Sequence, residues 1–224
     1  MSTNSLKSIL LALSMLVITG CPSTAQVKED TGPPPPRNLL GTTDELQLVT
    51  ELLTSLTREH GAEPILVVLA IGDTLLATDE NEPCGGETAP GRDDVPQMVQ
   101  PDTAKQVERM QSTGVKVIAL SGYDPACGSQ IVSELQHYGI SFTNSAWPST
   151  NSPVGYENGV ILADGQDKGQ ALKALLDDSG VPLPGLIIMV DYQQQDLSEV
   201  MKAFAYSGTK VHAWRYTRVD TAQN

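Results

Sequence analysis

A chain of 224 residues with 40% apolar side chains can bury the core of one globular domain and still leave residues for appendages. Its formal net charge of −13 argues against nucleic acid and anionic membrane surfaces as electrostatic partners. Charge says little about fold, so the pattern along the chain must supply it.

Residues 1–20 read as a targeting segment and not as part of the fold. Lys7 precedes an apolar run from Ile9 to Ile18, which is short for a transmembrane helix. The run stops at Ile18-Thr19-Gly20-Cys21, which resembles the bacterial lipobox. The resemblance implies cleavage before Cys21 and diacylglycerol on its sulfur, and several acyl chains together hold a protein firmly to a bilayer. An ordinary secretory signal, or a buried cysteine after a hydrophobic helix, is the competing reading. Pro22 follows where an Asp commonly signals inner-membrane retention, so a Gram-negative cell would place the chain on the periplasmic face of its outer membrane. Losing residues 1–20 removes Lys7 and no acid, taking the charge to −14. Residues 21–41 then form a lipidated cysteine and a tether, with Pro33–Pro36 favouring extended polyproline II. A proline-rich recognition motif is the other use of such a run.

The domain is expected over residues 42–220, with a polar tail at 221–224. Thr42 or Thr43 is a candidate cap for a helix from about Asp44 to His60, with Leu46, Val49, Leu52, Leu53 and Leu56 at helical spacing and Gly61 at its end. His60 sits favourably at that helix C-terminus and has no second ligand nearby in sequence. Ile65 to Ala70 is a continuous apolar run, read as a fully buried strand, followed by a tight turn at Ile71-Gly72-Asp73 and then Thr74-Leu75-Leu76. Asp79 to Pro101 is a polar, Gly/Pro-rich segment, read as a loop or a very small cap insert. Asp102 is a candidate cap for a helix over Thr103–Thr113. Val115 to Ser121 is a second buried strand, ending in Gly122-Tyr123, and a helix follows from Gly128 to Tyr138. Residues 140–166 hold short β-like pieces among turn formers, including Tyr156 to Ala163. Lys168-Gly169 opens a helix with Ala171, Leu172, Leu175 and Leu176 on one face. Leu186 to Val190 is a third buried strand ending at Asp191-Tyr192. A helix over Asp196–Phe204 and a strand over Val211–Tyr216 complete the domain, with His212 and Trp214 on one face of that strand. Alternating strands and helices imply an α/β fold, a parallel sheet with helices on both faces.

The order of these pieces resembles the haloacid dehalogenase (HAD) superfamily, with its Rossmann-like fold. Its first motif is an apolar strand followed by Asp-x-Asp-x-Thr, in which the first Asp is the phosphoryl-accepting nucleophile, the second is the acid/base, and Mg2+ binds alongside. This chain carries Ala70 and Gly72 at those two positions and keeps Thr74, while Asp73 falls on a non-catalytic position. Ser121 with the Gly122 amide is similar to the second motif, and Lys168 to the third. The fourth motif, a strand followed by paired carboxylates, is half kept as Asp191 with Tyr192. Residues 140–166 stand where these proteins carry a small cap insert after the second motif strand. The C-terminal run (Lys168-Gly169, a strand ending Val190-Asp191, and a strand ending Trp214-Arg215-Tyr216-Thr217) is similar to the bacterial DUF2608 branch.

The resemblance therefore implies a degenerate member. Covalent phosphoryl transfer needs an oxygen nucleophile, which Ala70 lacks, and Gly72 cannot protonate a leaving group. Losing one member of a catalytic unit removes orders of magnitude in rate. The expected function is a lipid-anchored, catalytically degenerate envelope protein with a binding or structural role. The alternative is a divergent Mg2+-dependent phosphatase using displaced groups such as Asp73 or Asp79. No cofactor is expected, with Mg2+ at Asp191 only if activity remains. Thr74, Ser121, Gly122 and Lys168 are candidates for binding an anion, and Lys168 serves equally as a solvated helix-start side chain. The bilayer through Cys21 is the expected partner, with an envelope protein as a further one. Cys84 and Cys127 follow the first and second motif strands, so both fall on one rim of the sheet. An oxidising compartment favours a disulfide between them over two free thiols.

Overall fold

The computed structural model describes residues 38–77, 97–147 and 154–219. Seven strands form one sheet in the order β1-β7-β6-β2-β3-β5-β4. The strands are β1 (Leu39–Thr43), β2 (Ile65–Ala70), β3 (Lys116–Ser121), β4 (Gly155–Glu157), β5 (Val160–Leu162), β6 (Leu186–Asp191) and β7 (Lys210–Tyr216). All neighbours run parallel except the β4–β5 hairpin. Five helices connect them: α1 (Leu46–His60), α2 (Thr103–Ser112), α3 (Gly128–His137), α4 (Lys168–Asp178) and α5 (Gln194–Ala203). The Rossmann-like α/β architecture expected from the sequence is present.

The continuous apolar runs explain the central strands. Every residue of β2 and of β6 is buried, as a parallel strand covered on both faces requires. Side chains alternate along each strand. Val67, Leu69, Val117, Ala119, Ile188 and Val190 face Leu46, Val49 and Leu53 of α1, Met110 of α2 and Ile131 of α3. Leu66, Val68, Ile118, Leu120, Ile187 and Met189 face Leu172 and Leu175 of α4 and Leu197 and Val200 of α5. The result is three layers, helices on sheet on helices. Burying each such Leu, Val or Ile side chain is worth about 1.5–3 kcal/mol, so the two apolar interfaces dominate stability.

Three local features differ from the sequence reading. The segment before residue 42 is not all tether: Leu39–Thr43 is an edge strand in register with β7, Leu39 opposite His212 and Gly41 opposite Trp214. A Cβ at Gly41 would lie 2.8 Å from the Trp214 ring, so only glycine lets the indole cover this strand. Thr43 is consequently the end of β1 and not a helix cap, its hydroxyl bonding the backbone of Glu45. Helix α1 begins at Leu46, and its first amide donates to Oε1 of the distant Gln100 at 3.1 Å. The same oxygen accepts the Tyr216 hydroxyl at 2.9 Å. Burial pushes the Tyr216 pKa up, keeping it a neutral donor. At α2, Asp102 occupies the N-cap position without capping, because its carboxylate accepts from the side chains of Gln100 and Gln106.

The insert expected after the second motif strand is, over its described part, a piece of the sheet itself. Val160–Leu162 pairs parallel with Ala119–Ser121, and β4 folds back beside it. The loop after β2 has its ends tied together: the Ala77 amide donates to the Gln97 carbonyl at 2.7 Å and the Val99 amide to Leu75 at 3.1 Å. Residues 1–20, Cys21, Asp79 and Cys84 lie outside the described residues, as does the tether up to residue 37.

Candidate functional site

Doubly wound sheets present function at the carboxyl ends of their strands, where the chain order reverses. Here the reversal falls between β2 and β6, with β3 and β5 wound to one side and β7 to the other. The expected site residues sit at that rim. Ala70 ends β2 with no exposed surface. The turn beyond it is wound tightly around the Ile71 carbonyl, which accepts the amides of Thr74, Leu75 and Leu76 at 3.3, 2.9 and 3.0 Å. Asp73 holds φ at 51°, a left-handed conformation that Asp tolerates better than most residues. Its amide donates to the Leu76 carbonyl at 2.8 Å.

Thr74 is fully buried, and its Oγ1 accepts the Tyr192 amide at 3.2 Å. That bond joins the turn after β2 to the end of β6. Ser121 is likewise buried at the end of β3, and its Oγ accepts the Tyr123 amide at 3.3 Å. The Gly122 carbonyl accepts from Gly165 at 2.8 Å, fixing the strand end against the loop that leads into α4.

Lys168 and Asp191 are brought into direct contact. The Lys168 ammonium lies 3.1 Å from Asp191 Oδ2 and 2.6 Å from Asp196 Oδ2. The side chains of Lys168 and Asp191 are 5% and 0% exposed, so this is a buried ion pair extended by a second carboxylate. Asp191 Oδ1 accepts the Gln193 amide at 2.9 Å, which turns the chain from β6 into α5. Glu199 Oε2 accepts the Lys168 amide at 3.0 Å, satisfying an open donor at the start of α4. Lys168 is held between two carboxylates, those of Asp191 and Asp196.

Gly169 explains why the lysine can reach. A Cβ there would meet the Glu199 carbonyl oxygen at 2.3 Å. Glycine lets α4 and α5 touch backbone to backbone, and Lys168, one residue earlier, then projects between Asp191 and Asp196. Asp196 and Glu199 were not singled out from sequence. Their signal was present in principle, two acids three residues apart opening a helix whose Leu197 and Val200 are core residues, which puts both acids beside the buried face.

Thr74, Lys168 and Asp191 are thus tied around the end of β6, while Ser121 and Gly122 belong to the neighbouring strand end. Cys127, 2% exposed at the start of α3, is disulfide-bonded. Its expected partner Cys84 lies outside the described residues. Among the described residues, no group of three or more His, Cys, Asp or Glu is placed to hold a metal ion, and no helix is long and apolar enough to cross a membrane.

A parallel sheet with helices on both faces and its polar cluster at the winding reversal makes this a Rossmann-like α/β protein. More narrowly, the chain belongs to the DUF2608 family, described as proteins of unknown function, whose profile matches residues 94–224. Comparison with curated proteins and with solved structures finds no match.

Proposed function

We propose that this chain is a lipid-anchored envelope protein built on a HAD-like scaffold whose catalytic positions no longer perform phosphoryl transfer. The observation that carries the reading is the fate of Lys168 at the rim. Lys168 is engaged by two carboxylates beside a β2 end that offers only the methyl of Ala70. In the phosphatase chemistry implied by the resemblance, this lysine would neutralise a phosphate held over a carboxylate nucleophile. In this arrangement it neutralises protein groups instead.

The donor set argues in the same direction for metal. Mg2+ takes near-octahedral oxygen coordination, with one or two carboxylates supplied by the protein. Both oxygens of Asp191 already accept hydrogen bonds, from Gln193 and Lys168. Ala70, Gly72 and Tyr192 supply no carboxylate where the motifs would put one. The role best supported is structural: the former catalytic rim joins β2, α4, β6 and α5 into one unit. The envelope location is supported by the lipobox-like Ile18-Thr19-Gly20-Cys21 and by the disulfide at Cys127, a bond characteristic of oxidising compartments.

The test is turnover of an aryl phosphate by the purified full chain with Mg2+, beside Asp191→Ala. Equal, background-level rates are expected. Mg2+-dependent turnover abolished by Asp191→Ala would overturn the reading in favour of a divergent phosphatase, with Asp73 the next residue to change. The anchor is tested separately, by incorporation of labelled palmitate that Cys21→Ser prevents.

A further inference from the structure

We infer that the free edge of β1 is a homodimer seam, on which the same strand of a second copy adds antiparallel and joins the two sheets into one. The inference is independent of the anchored, non-catalytic reading above.

β1 ends the sheet, paired on one side with β7 and on the other with no described strand. The register decides which main-chain groups are left over. Val211 and Thr217 direct their amides towards β1, to Asn38 Oδ1 at 3.1 Å and to the Thr43 carbonyl at 2.9 Å, whereas the Lys210 amide bonds the Gly185 carbonyl just before β6. These directions alternate along a strand. Leu39, Gly41 and Thr43 therefore spend their main-chain groups on β7, and Leu40 and Thr42 present theirs to the open edge. An antiparallel mate centred on Gly41 sets Leu40 opposite Thr42 of the second copy, twice. Two such hydrogen-bonded pairs use all four outward amides and all four outward carbonyls of the two strands.

Natural edges are defended by charge, proline, a bulge or shortness. The other edge of this sheet is defended: β4 has three residues, carries Glu157 and has Pro125 against Gly155. β1 has no such device. Leu39-Leu40-Gly41-Thr42-Thr43 is uncharged in a chain of net charge −13, and Leu39 and Leu40, on opposite faces, are 55% and 47% exposed.

Gly41 points to a copy of this chain as the occupant. Trp214 lies across it, with three ring carbons within 3.2 Å of where a Cβ would stand, so the indole reaches from β7 over the edge strand. A two-fold axis between the paired Gly41 residues sets the two β7 strands three spacings apart, about 14 Å. Each indole extends into that gap from its own side, and the two rings flank the axis on the row where neither β1 supplies a side chain. The contact is isologous, the same patch on both copies, so it closes as a dimer and does not propagate.

The test is the mass of the purified full chain by size-exclusion chromatography with light scattering, subtracting any bound detergent. The seam is one strand wide and smaller than the roughly 1,600 Å2 of a standard interface, so a dimer that dissociates on dilution through about 100 to 1 µM is expected. Thr42→Pro removes one outward amide and leaves the β7 ladder intact, a change that edge strands accept. It should hold the chain at the monomer mass with an unchanged far-UV circular dichroism spectrum. Leu40→Lys should do the same by charge, with no change to the backbone. In Trp147→Phe, the remaining Trp214 emission should shift to the red on dilution; adding Thr42→Pro should make it red-shifted at every concentration. A parent chain that stays monomeric at the top of the range would overturn the inference and leave the edge to an extended segment of another protein. A dimer that survives both Thr42→Pro and Leu40→Lys, or Trp214 emission indifferent to dilution, would overturn it as well.

Discussion

Replacing Lys168 with methionine is the most direct test of the rim as a structural clamp. Methionine retains most of the aliphatic stem and volume, so packing changes little, but the ammonium is lost. Asp191, with no exposed side-chain surface, and Asp196, 12% exposed, would then lose the ammonium that both contact. Removing one partner of a buried ion pair costs about 3–5 kcal/mol, because the remaining charge is neither paired nor hydrated. For a domain of this length each kcal/mol lowers Tm by about 2–4 °C, so Lys168→Met should melt roughly 6–20 °C lower. Urea unfolding followed by far-UV circular dichroism and by tryptophan emission gives the free energy and checks that the transition stays two-state. The double variant Lys168→Met with Asp191→Asn keeps an acceptor for the Gln193 amide and removes one of the two carboxylate charges that Lys168 contacts. It should be more stable than Lys168→Met alone, with a coupling of about 1–3 kcal/mol. A single variant that loses less than about 1 kcal/mol, or two losses that merely add, would refute the clamp.

Gly169→Ala should destabilise the chain by about 1–3 kcal/mol, the usual range for overpacking, although alanine is the better helix former. The contact to be relieved is with the Glu199 backbone, which cannot swing aside as a side chain would; an unchanged urea midpoint would refute it. Asp102 gives a pH-dependent prediction. Its pKa is lowered, chiefly by the hydrogen bond from Gln106 and next by that from Gln100. A depressed carboxyl stabilises the fold fully above its unfolded pKa, near 3.8, and that stabilisation is lost as pH falls through the folded value. The stability gap between the parent and Asp102→Asn should therefore be constant from about pH 7 to 5 and close below about pH 4; a gap unchanged at pH 3 would refute it.

The central strands and all five helices were legible because each carries its own signal. Continuous apolar runs such as Ile65–Ala70 and Leu186–Val190 need both faces covered wherever they lie. Helices such as Leu46–His60 show a 3.6-residue stripe closed by glycine. β1 was hidden because Leu39-Leu40-Gly41-Thr42-Thr43 has little strand character of its own and becomes one only beside Trp214 and its neighbours. The cap of α1 was misplaced for a related reason: Thr43 is the local choice, whereas the partner used is Gln100, 54 residues away. At the rim, motif order located Thr74, Ser121, Lys168 and Asp191, since strand ends are fixed by the runs preceding them. It did not supply the partners. Asp196 reads from sequence as an ordinary acid opening a helix, and its contact with Lys168 exists because Gly169 permits the two helices to touch.

The pairing of β1 with β7 makes the first strand of the domain depend on the last. Asn38 and its partner Val211 are separated by 173 residues, the kind of contact that folds late because a long loop must close before it forms. At synthesis rates of about 5–20 residues per second, roughly 9–35 s pass between the emergence of the two. Throughout that interval Leu39 and Leu40 have no strand to lie against, and the edge of β7 does not yet exist. The sheet is therefore sealed by its own C-terminus, and a chain cut short before residue 210 would lose β1 as well as β7, leaving β6 as the edge strand.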